Sequence, residues 1–294
     1  MKQKKTYLKE NTRQLIIEAF LTPDKTVFES LAEHPETELA GLHGLYKIYQ
    51  EKGDLHELKT ILKKANTNHP NIPWILNGQF ELSLLENDWE KALLQLETLR
   101  KNQLITKEEY QKGMAGLYFK TGKHKEAFEI DNGNPAFALA YAIDYPKKAA
   151  DILMTSWRIT PCWDTYRAYM DLFQNELAGK QMKMLKKLIS KNPTSRSALL
   201  ALADTSIHLE LWRDAKESMT VYLQTYPLTK QAAILMATII RKGWHHEEEA
   251  REWENKPVES DDQKGWICLK CNHITSEWDI LCPHCNTFNS ITYK

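Results

Sequence analysis

Cys268, Cys271, Cys282 and Cys285 form two Cys-x-x-Cys pairs with ten residues between them. Thiolates at this spacing can surround a single soft cation, and Zn²⁺ favours a tetrahedral shell of such ligands. Four protein ligands leave no coordination position for water or substrate, so the expected role of the ion is structural. The tail that carries them, residues 265–294, is too short to bury a self-sufficient apolar core, so the ion would supply its folding energy. Asparagine follows each second cysteine, at Asn272 and Asn286. A metal knuckle turns there through the left-handed backbone region, which Asn tolerates better than most non-glycine residues. The competing reading is two disulfides, but no other part of the chain has a secreted, disulfide-stapled composition. Iron is the alternative occupant, with electron transfer as its chemistry. His273 and His284 lie inside the same loops and could substitute as ligands only if a cysteine failed; His284, in the middle of a knuckle, is expected to face solvent.

Other chemistry is sparse. The chain has no Gly-rich phosphate loop, no Gly-x-Ser-x-Gly and no His-Glu-x-x-His. His245-His246 before Glu247-Glu248-Glu249 reads as a solvated helix start with acids in its first turn. Cys162 stands alone and is expected to be a packing residue. Its alternative is a thiolate site for heme or porphyrin, with Trp163 beside it. Lys+Arg and Asp+Glu are equal at 39 each, so bulk charge gives no reason to expect nucleic acid or an anionic membrane as partner. Locally, Lys180, Lys183, Lys186, Lys187, Lys191 and Arg196 make a basic run, and residues 244–262 are acidic; both read as solvated faces. No stretch approaches the roughly 20 apolar residues of a membrane helix. The N-terminal apolar run is interrupted by Glu18. A soluble, cytoplasmic protein is expected.

The elements that must carry these residues are helices. Glycines and prolines, eleven of each, fall between long stretches of helical periodicity. Leu42, Leu45, Tyr46 and Tyr49 precede Gly53-Asp54-Leu55, and Leu58, Leu62, Ala65 and Pro70 follow. These are the spacings of a tetratricopeptide (TPR) helix pair. A shift of thirty-four residues from Leu58 lands on Ala92, with Asn87-Asp88 as its turn. The next register is Ala127 behind Gly122-Lys123. The pattern then shortens, which predicts a clipped first helix over Pro135–Ile143. Full length returns with Leu199, Leu202 and Ala203, then Ala215, Met219, Tyr222 and Pro227. A last, degenerate pair covers Gln231–Ile240 and Glu247–Trp253. No helix hairpin this small can bury its apolar face alone, so stacking must make the core. The small residues Ala92, Ala127, Ala203 and Ala215 are expected where helices approach closely. Trp89, Trp157 and Trp212 occupy core or inter-repeat positions. Trp74 and Trp163 begin helices and could line the concave face, where aromatic anchors dominate recognition.

The segments Ala198–Asp204, Leu209–Lys216 and Arg251-Glu252-Trp253 resemble the HemY-type TPR proteins of proteobacteria, which are linked to heme biosynthesis. Trp266 before the first cysteine, Glu277-Trp278 between the pairs and Phe288 after Cys285 resemble the extension of the alphaproteobacterial members. LapB-type regulators of lipopolysaccharide synthesis are a second resemblance, having TPRs and a rubredoxin-like Cys₄ pair with the same gap. Both families carry N-terminal membrane helices, and this sequence shows none. The resemblance therefore implies a place at the cytoplasmic face of the inner membrane only through a partner or an N-terminal anchor absent from this sequence. Neither family supplies catalytic residues.

Together these readings predict an all-α, TPR-like right-handed helical solenoid with a small zinc-ribbon or rubredoxin-like Cys₄ module. The expected division is repeats over 1–255, an acidic linker over 256–264 and the module over 265–294. The expected function is non-enzymatic: a scaffold that takes a peptide or helix of a protein partner in its concave groove. The contact candidates are Trp74, Asn77, Phe80, Arg167, Met170, Asp171, Asp204 and His208, on first helices of pairs. Trp266, Trp278 and Phe288 are expected to pack the module onto the final helices around Trp253, since large aromatics in so short a tail have few other burial sites. The module would cap the last repeat or lie in the groove and restrict access to it.

Overall fold

The computed structural model describes residues 14, 16–17, 19–21, 24–258 and 265–293. The chain divides into two compact units, Met1–Leu117 and Tyr118–Lys294. The linker expected over 256–264 lies outside the described residues from position 259 on.

The helices are α1 (Lys25–Glu33), α2 (Glu38–Lys52), α3 (Leu55–Asn68), α4 (Pro73–Leu85), α5 (Trp89–Lys101) and α6 (Lys107–Lys120), which crosses the boundary between units. The second unit continues with α7 (His124–Ile130), α8 (Pro135–Asp144), α9 (Ala149–Ile159), α10 (Trp163–Asp171) and α11 (Ala178–Ile189). It ends its helical part with α12 (Arg196–His208), α13 (Trp212–Thr225), α14 (Lys230–Trp244) and α15 (Glu247–Asn255). From α2 onward they alternate as first and second helices of pairs. This is the TPR-like, all-α repeat expected.

One local rule makes the pairs. The full-length turns contain a single residue in the left-handed region: Gly53 (φ 69°), Asn87 (57°), Gly122 (74°), Glu210 (58°) and His245 (57°). In four of them the next residue's N–H closes the turn onto a carbonyl five residues back, at 2.8 to 3.0 Å. Asp54 and Asp88 then cap the second helix, accepting from the N–H of Glu57 and Lys91. First helices start at residues 38, 73, 107, 135, 163, 196 and 230. The repeat therefore contracts between 107 and 163. Within that stretch the α6–α7 turn keeps its left-handed residue at Gly122, whereas between α8 and α9 Pro146–Lys148 makes a 3₁₀ turn in its place. The clipped first helix is present as Pro135–Asp144.

Each unit has its own core. In the first, Phe28, Leu42, Leu45, Tyr46, Leu62 and Ile75 are among the buried residues. In the second, Leu199, Ala203, Ala215, Met219, Tyr222 and Ile239 fill the space among α12 to α15. Ala92, Ala127, Ala203 and Ala215 are all fully buried, as close helix approach requires. Trp157 is fully buried, while Trp89 and Trp212 are half-buried.

The tail forms a three-stranded antiparallel sheet of order β2–β1–β3: β1 Trp266–Cys268, β2 Ile274–Thr275 and β3 Ile291–Tyr293. Trp266 pairs with Thr275 on one side and Tyr293 on the other. None of the described helices is long and apolar enough to cross a membrane.

Candidate metal centre and the face it covers

The two cysteine pairs fold alike. The N–H of Asn272 donates to the Cys268 carbonyl at 2.9 Å, and the N–H of Asn286 donates to the Cys282 carbonyl at 2.8 Å. The N–H of Cys268 donates to His273 at 2.9 Å, and that of Cys282 donates to Thr287 at 3.1 Å. Both asparagines take the left-handed conformation expected of them, at φ 57° and 51°. The chain therefore reverses tightly after each pair, turning both cysteines of a pair inward.

All four sulfurs lie within 4.8 Å of one another. Cys268–Cys285 and Cys271–Cys282, each joining the two knuckles, are both 3.7 Å apart. A tetrahedral ion with sulfurs at about 2.3 Å requires sulfur–sulfur edges of about 3.8 Å. The cysteines are free thiols, so the two-disulfide alternative fails. Hydroxyls surround the sulfurs: Ser290 is 3.2 Å from Cys268 and Thr287 is 3.1 Å from Cys285. Burial pushes the Cys268 thiol up, but Ser290 and the N–H groups of Cys271 and Lys270 outweigh it and bring it down to about 6. The N–H of His273 pulls Cys271 down, yet burial and the three neighbouring sulfurs raise it to about 12. The hydroxyl and N–H of Thr287 hold Cys285 below the ordinary thiol value. Sulfurs this crowded oppose one another's ionisation, and a divalent cation between them removes that opposition. The donor set therefore fits a metal ion.

His273 and His284 sit on exposed knuckle tips with their rings stacked at 5.1 Å and 18°. They stand outside the sulfur cluster, as expected.

The module docks elsewhere than expected. Trp278, on the loop between the pairs, is 6% exposed. Its ring meets Phe119 of α6 edge-on at 5.2 Å and 83°, and Phe137 of α8 at 4.9 Å and 79°. Asp279 pairs with Lys120 at 2.8 Å. Tyr293 reaches the start of α10, where burial first, then the charges of Cys162 and Asp164, push its hydroxyl up. Trp266 packs edge-on against Tyr293 at 5.3 Å. A cleft of about 440 Å³ remains between the sheet and the starts of α10, α12 and α14, lined by Trp163, Leu200, Gln231, Trp266 and Tyr293 among others. Trp253 instead packs into the α12–α15 core, with Lys256 3.3 Å over its ring. The physical reason is complementarity: α6 and α8 offer two aromatic rings and a cation to an indole followed by a carboxylate. The helices named in these contacts, α6, α8, α10, α12 and α14, are each the first of their pair. Phe119, Lys120, Phe137 and Tyr293 were not singled out from sequence. The available signal was Trp278 itself, an indole in a ligand loop too small to bury it.

The proposed contact residues divide. Asn77, Arg167, Asp171 and His208 are exposed, and Trp74 and Met170 are half-buried. Phe80 and Asp204 are buried, at 7% and 8%, which corrects their reading as exposed contacts. Asp204 accepts from Tyr166 at 2.7 Å and Arg167 at 3.2 Å, and so joins α10 to α12. In the first unit, Trp74 stacks on His43 at 4.8 Å and 23°, and meets Tyr46 at 5.4 Å. Cys162 is fully buried and caps α10 through the N–H of Thr165 at 3.4 Å, and burial pushes its thiol up. It presents no open thiolate to heme. His245 supplies a left-handed helix end and His246 faces Glu249 at 3.4 Å. In the basic run, Lys180 pairs with Glu176 at 2.6 Å. In the acidic segment, Glu247 and Glu254 both bind Arg241 at 2.8 Å.

No protein-family model and no curated protein matches the chain. Among solved structures it is similar to a tetratricopeptide repeat protein from Parabacteroides merdae, at 16% identity over 89% of this chain and 95% of that one, with a TM-score of 0.33. It is also similar to PilF of Pseudomonas aeruginosa, at 13% identity over 73% of this chain and 88% of that one, with a TM-score of 0.27. At such scores neither adds to what the helix pairs themselves establish.

Proposed function

We propose that this chain is a non-enzymatic protein-interaction scaffold whose C-terminal module is held by one structural Zn²⁺. The observation behind the scaffold reading is the run of helix pairs whose first helices carry aromatic and polar side chains at the surface. The His43–Trp74 stack joins α2 to α4, with exposed Asn77 one helical turn from Trp74. Such a face suits a helix or extended segment of a partner. The ion's contribution, when bound, is to cross-link Cys268, Cys271, Cys282 and Cys285; a filled Cys₄ shell activates no water. The chain's own residues do the rest: the asparagine turns aim the thiolates, and Trp278 anchors the module on its repeats.

The resemblance to HemY-type proteins points to partners in heme-biosynthesis-linked processes at the inner membrane. The ten-residue gap between cysteine pairs favours a second reading, a LapB-like regulator of lipopolysaccharide synthesis. A photo-reactive residue at Asn77 should cross-link a partner, and the same residue at Leu94, exposed on a second helix, should not. Equal capture at both positions would overturn the groove reading. Elemental analysis should find zinc at one ion per chain; iron instead would revive the electron-transfer reading.

A further inference from the structure

The loop that carries Trp278 is seated on the repeats as a ligand would be. Its indole fills a slot between Phe119 and Phe137, and the carboxylate of the next residue meets Lys120 at 2.8 Å. Phe119 and Phe137 also touch each other, at 5.2 Å, so the slot is one continuous aromatic surface on α6 and α8. Cys271 and Cys282 flank the loop in sequence, and no residue from Ile274 to Leu281 belongs to the four-cysteine group that could hold an ion. The slot therefore recognises side-chain chemistry and is indifferent to the ion. The ion only closes the loop that delivers it.

We propose that Phe119, Lys120 and Phe137 form a receptor for a partner segment carrying a large aromatic residue followed by an acid, and that Glu277–Asp279 occupies this receptor in cis. This rests on the scaffold reading and names the chemistry of the partner. A tethered loop has an effective concentration on the order of millimolar, so a partner must outcompete it or meet the chain when the module has lifted. Reciprocity follows: what loosens the module, metal loss included, raises partner affinity, and a bound partner loosens the module.

The test uses the full chain with Trp278→Ala, after metal content is verified as unchanged. The probe is a fluorescent peptide of residues 274–281, Ile-Thr-Ser-Glu-Trp-Asp-Ile-Leu, read by anisotropy. The variant should bind it at least about tenfold more tightly than the unsubstituted chain, given a tethered competitor. Replacing the peptide's Trp by Ala should abolish binding, as should adding Phe137→Ala to the protein. Charge reversal supplies an arm that does not depend on Trp278→Ala folding. The Lys120→Glu chain should prefer a peptide carrying Lys in place of Asp, and the unsubstituted chain should prefer the original. The proposal fails if metal-replete Trp278→Ala ignores the peptide up to about 1 mM, the scale of the tethered competitor. It also fails if both chains bind alike, or if charge reversal changes no preference. Peptide failure with Asn77 cross-links intact would remove this proposal and leave the scaffold reading standing. Peptide binding without those cross-links would keep this proposal and the scaffold reading, and remove only the Asn77 face as a contact surface.

Discussion

Docking of the module through Trp278 can be tested as an energy. Phe137 is 2% exposed and touches both Phe119 and Trp278. Removing a buried Phe costs about 3–5 kcal/mol, but that loss falls on the α8 core as well as on docking. A double-mutant cycle separates the two. The Phe137–Trp278 contact, edge-on at 4.9 Å and 79°, has the geometry for which ring pairs contribute about 0.5–1.5 kcal/mol beyond buried area. Phe137→Ala, Trp278→Ala and the double variant should therefore show a coupling of about 0.5–1.5 kcal/mol. The assay is native-state hydrogen exchange at the N–H groups of Asn272 and Asn286, which bond to the Cys268 and Cys282 carbonyls and report local opening of the knuckles. Metal must be held at a fixed excess, because binding itself shifts opening. Additivity within about 0.3 kcal/mol would mean that the indole does not rest on Phe137 in solution, and the docking geometry would be refuted.

Three further outcomes follow from local geometry. Asn272→Val places a β-branched residue at φ 57° and should cost about 1–2 kcal/mol, seen as faster metal loss to a chromophoric chelator, whereas Asn272→Gly should be close to neutral. Gly243→Ala should destabilise by about 1–3 kcal/mol in urea titration, because the new Cβ would lie 2.9 Å from the Trp212 Cβ; helix propensity alone predicts the opposite sign, and in a Trp212→Gly background, which removes that Cβ, the same substitution should no longer destabilise. The Tyr166 hydroxyl is pushed up by burial first and then by the charge of Asp204. A raised acid contributes stability that is intact below its ordinary value of 10 and is lost as pH climbs beyond it, so ultraviolet titration should show Tyr166 ionising only as the fold opens; normal ionisation near 10 with the helices intact would contradict it.

The parts legible in the sequence are those set by short-range rules. Asn272 and Asn286 announce their turns because few other residues accept positive φ. Gly53, Asn87 and Gly122 mark the helix-pair turns for the same reason, and Ala92 to Ala215 mark close approach by size. The docking site was not legible. Trp278 meets Phe119 and Phe137 across more than a hundred residues of chain, and no local pattern encodes that encounter. Phe80 and Asp204 were misplaced for a related reason. A first helix has one face toward the groove and two toward neighbouring helices, and helical spacing alone does not distinguish them. Asp204 is buried because Tyr166 and Arg167 reach it from the preceding pair.

The module's seat has a consequence for how the second unit comes apart. In a simple repeat array each pair touches only its neighbours, so stability is a sum of local terms and the ends fray first. Here the end of the chain returns to α6, α8 and the start of α10, well upstream of the pair that precedes it in sequence. That contact closes a ring of interactions over a linear stack. Opening the last pairs no longer leaves the earlier ones untouched, because the tail that would be released also anchors them. The second unit should therefore lose its structure in one concerted step while the ion holds, and regain the gradual, end-inward melting of an open array once the ion is gone.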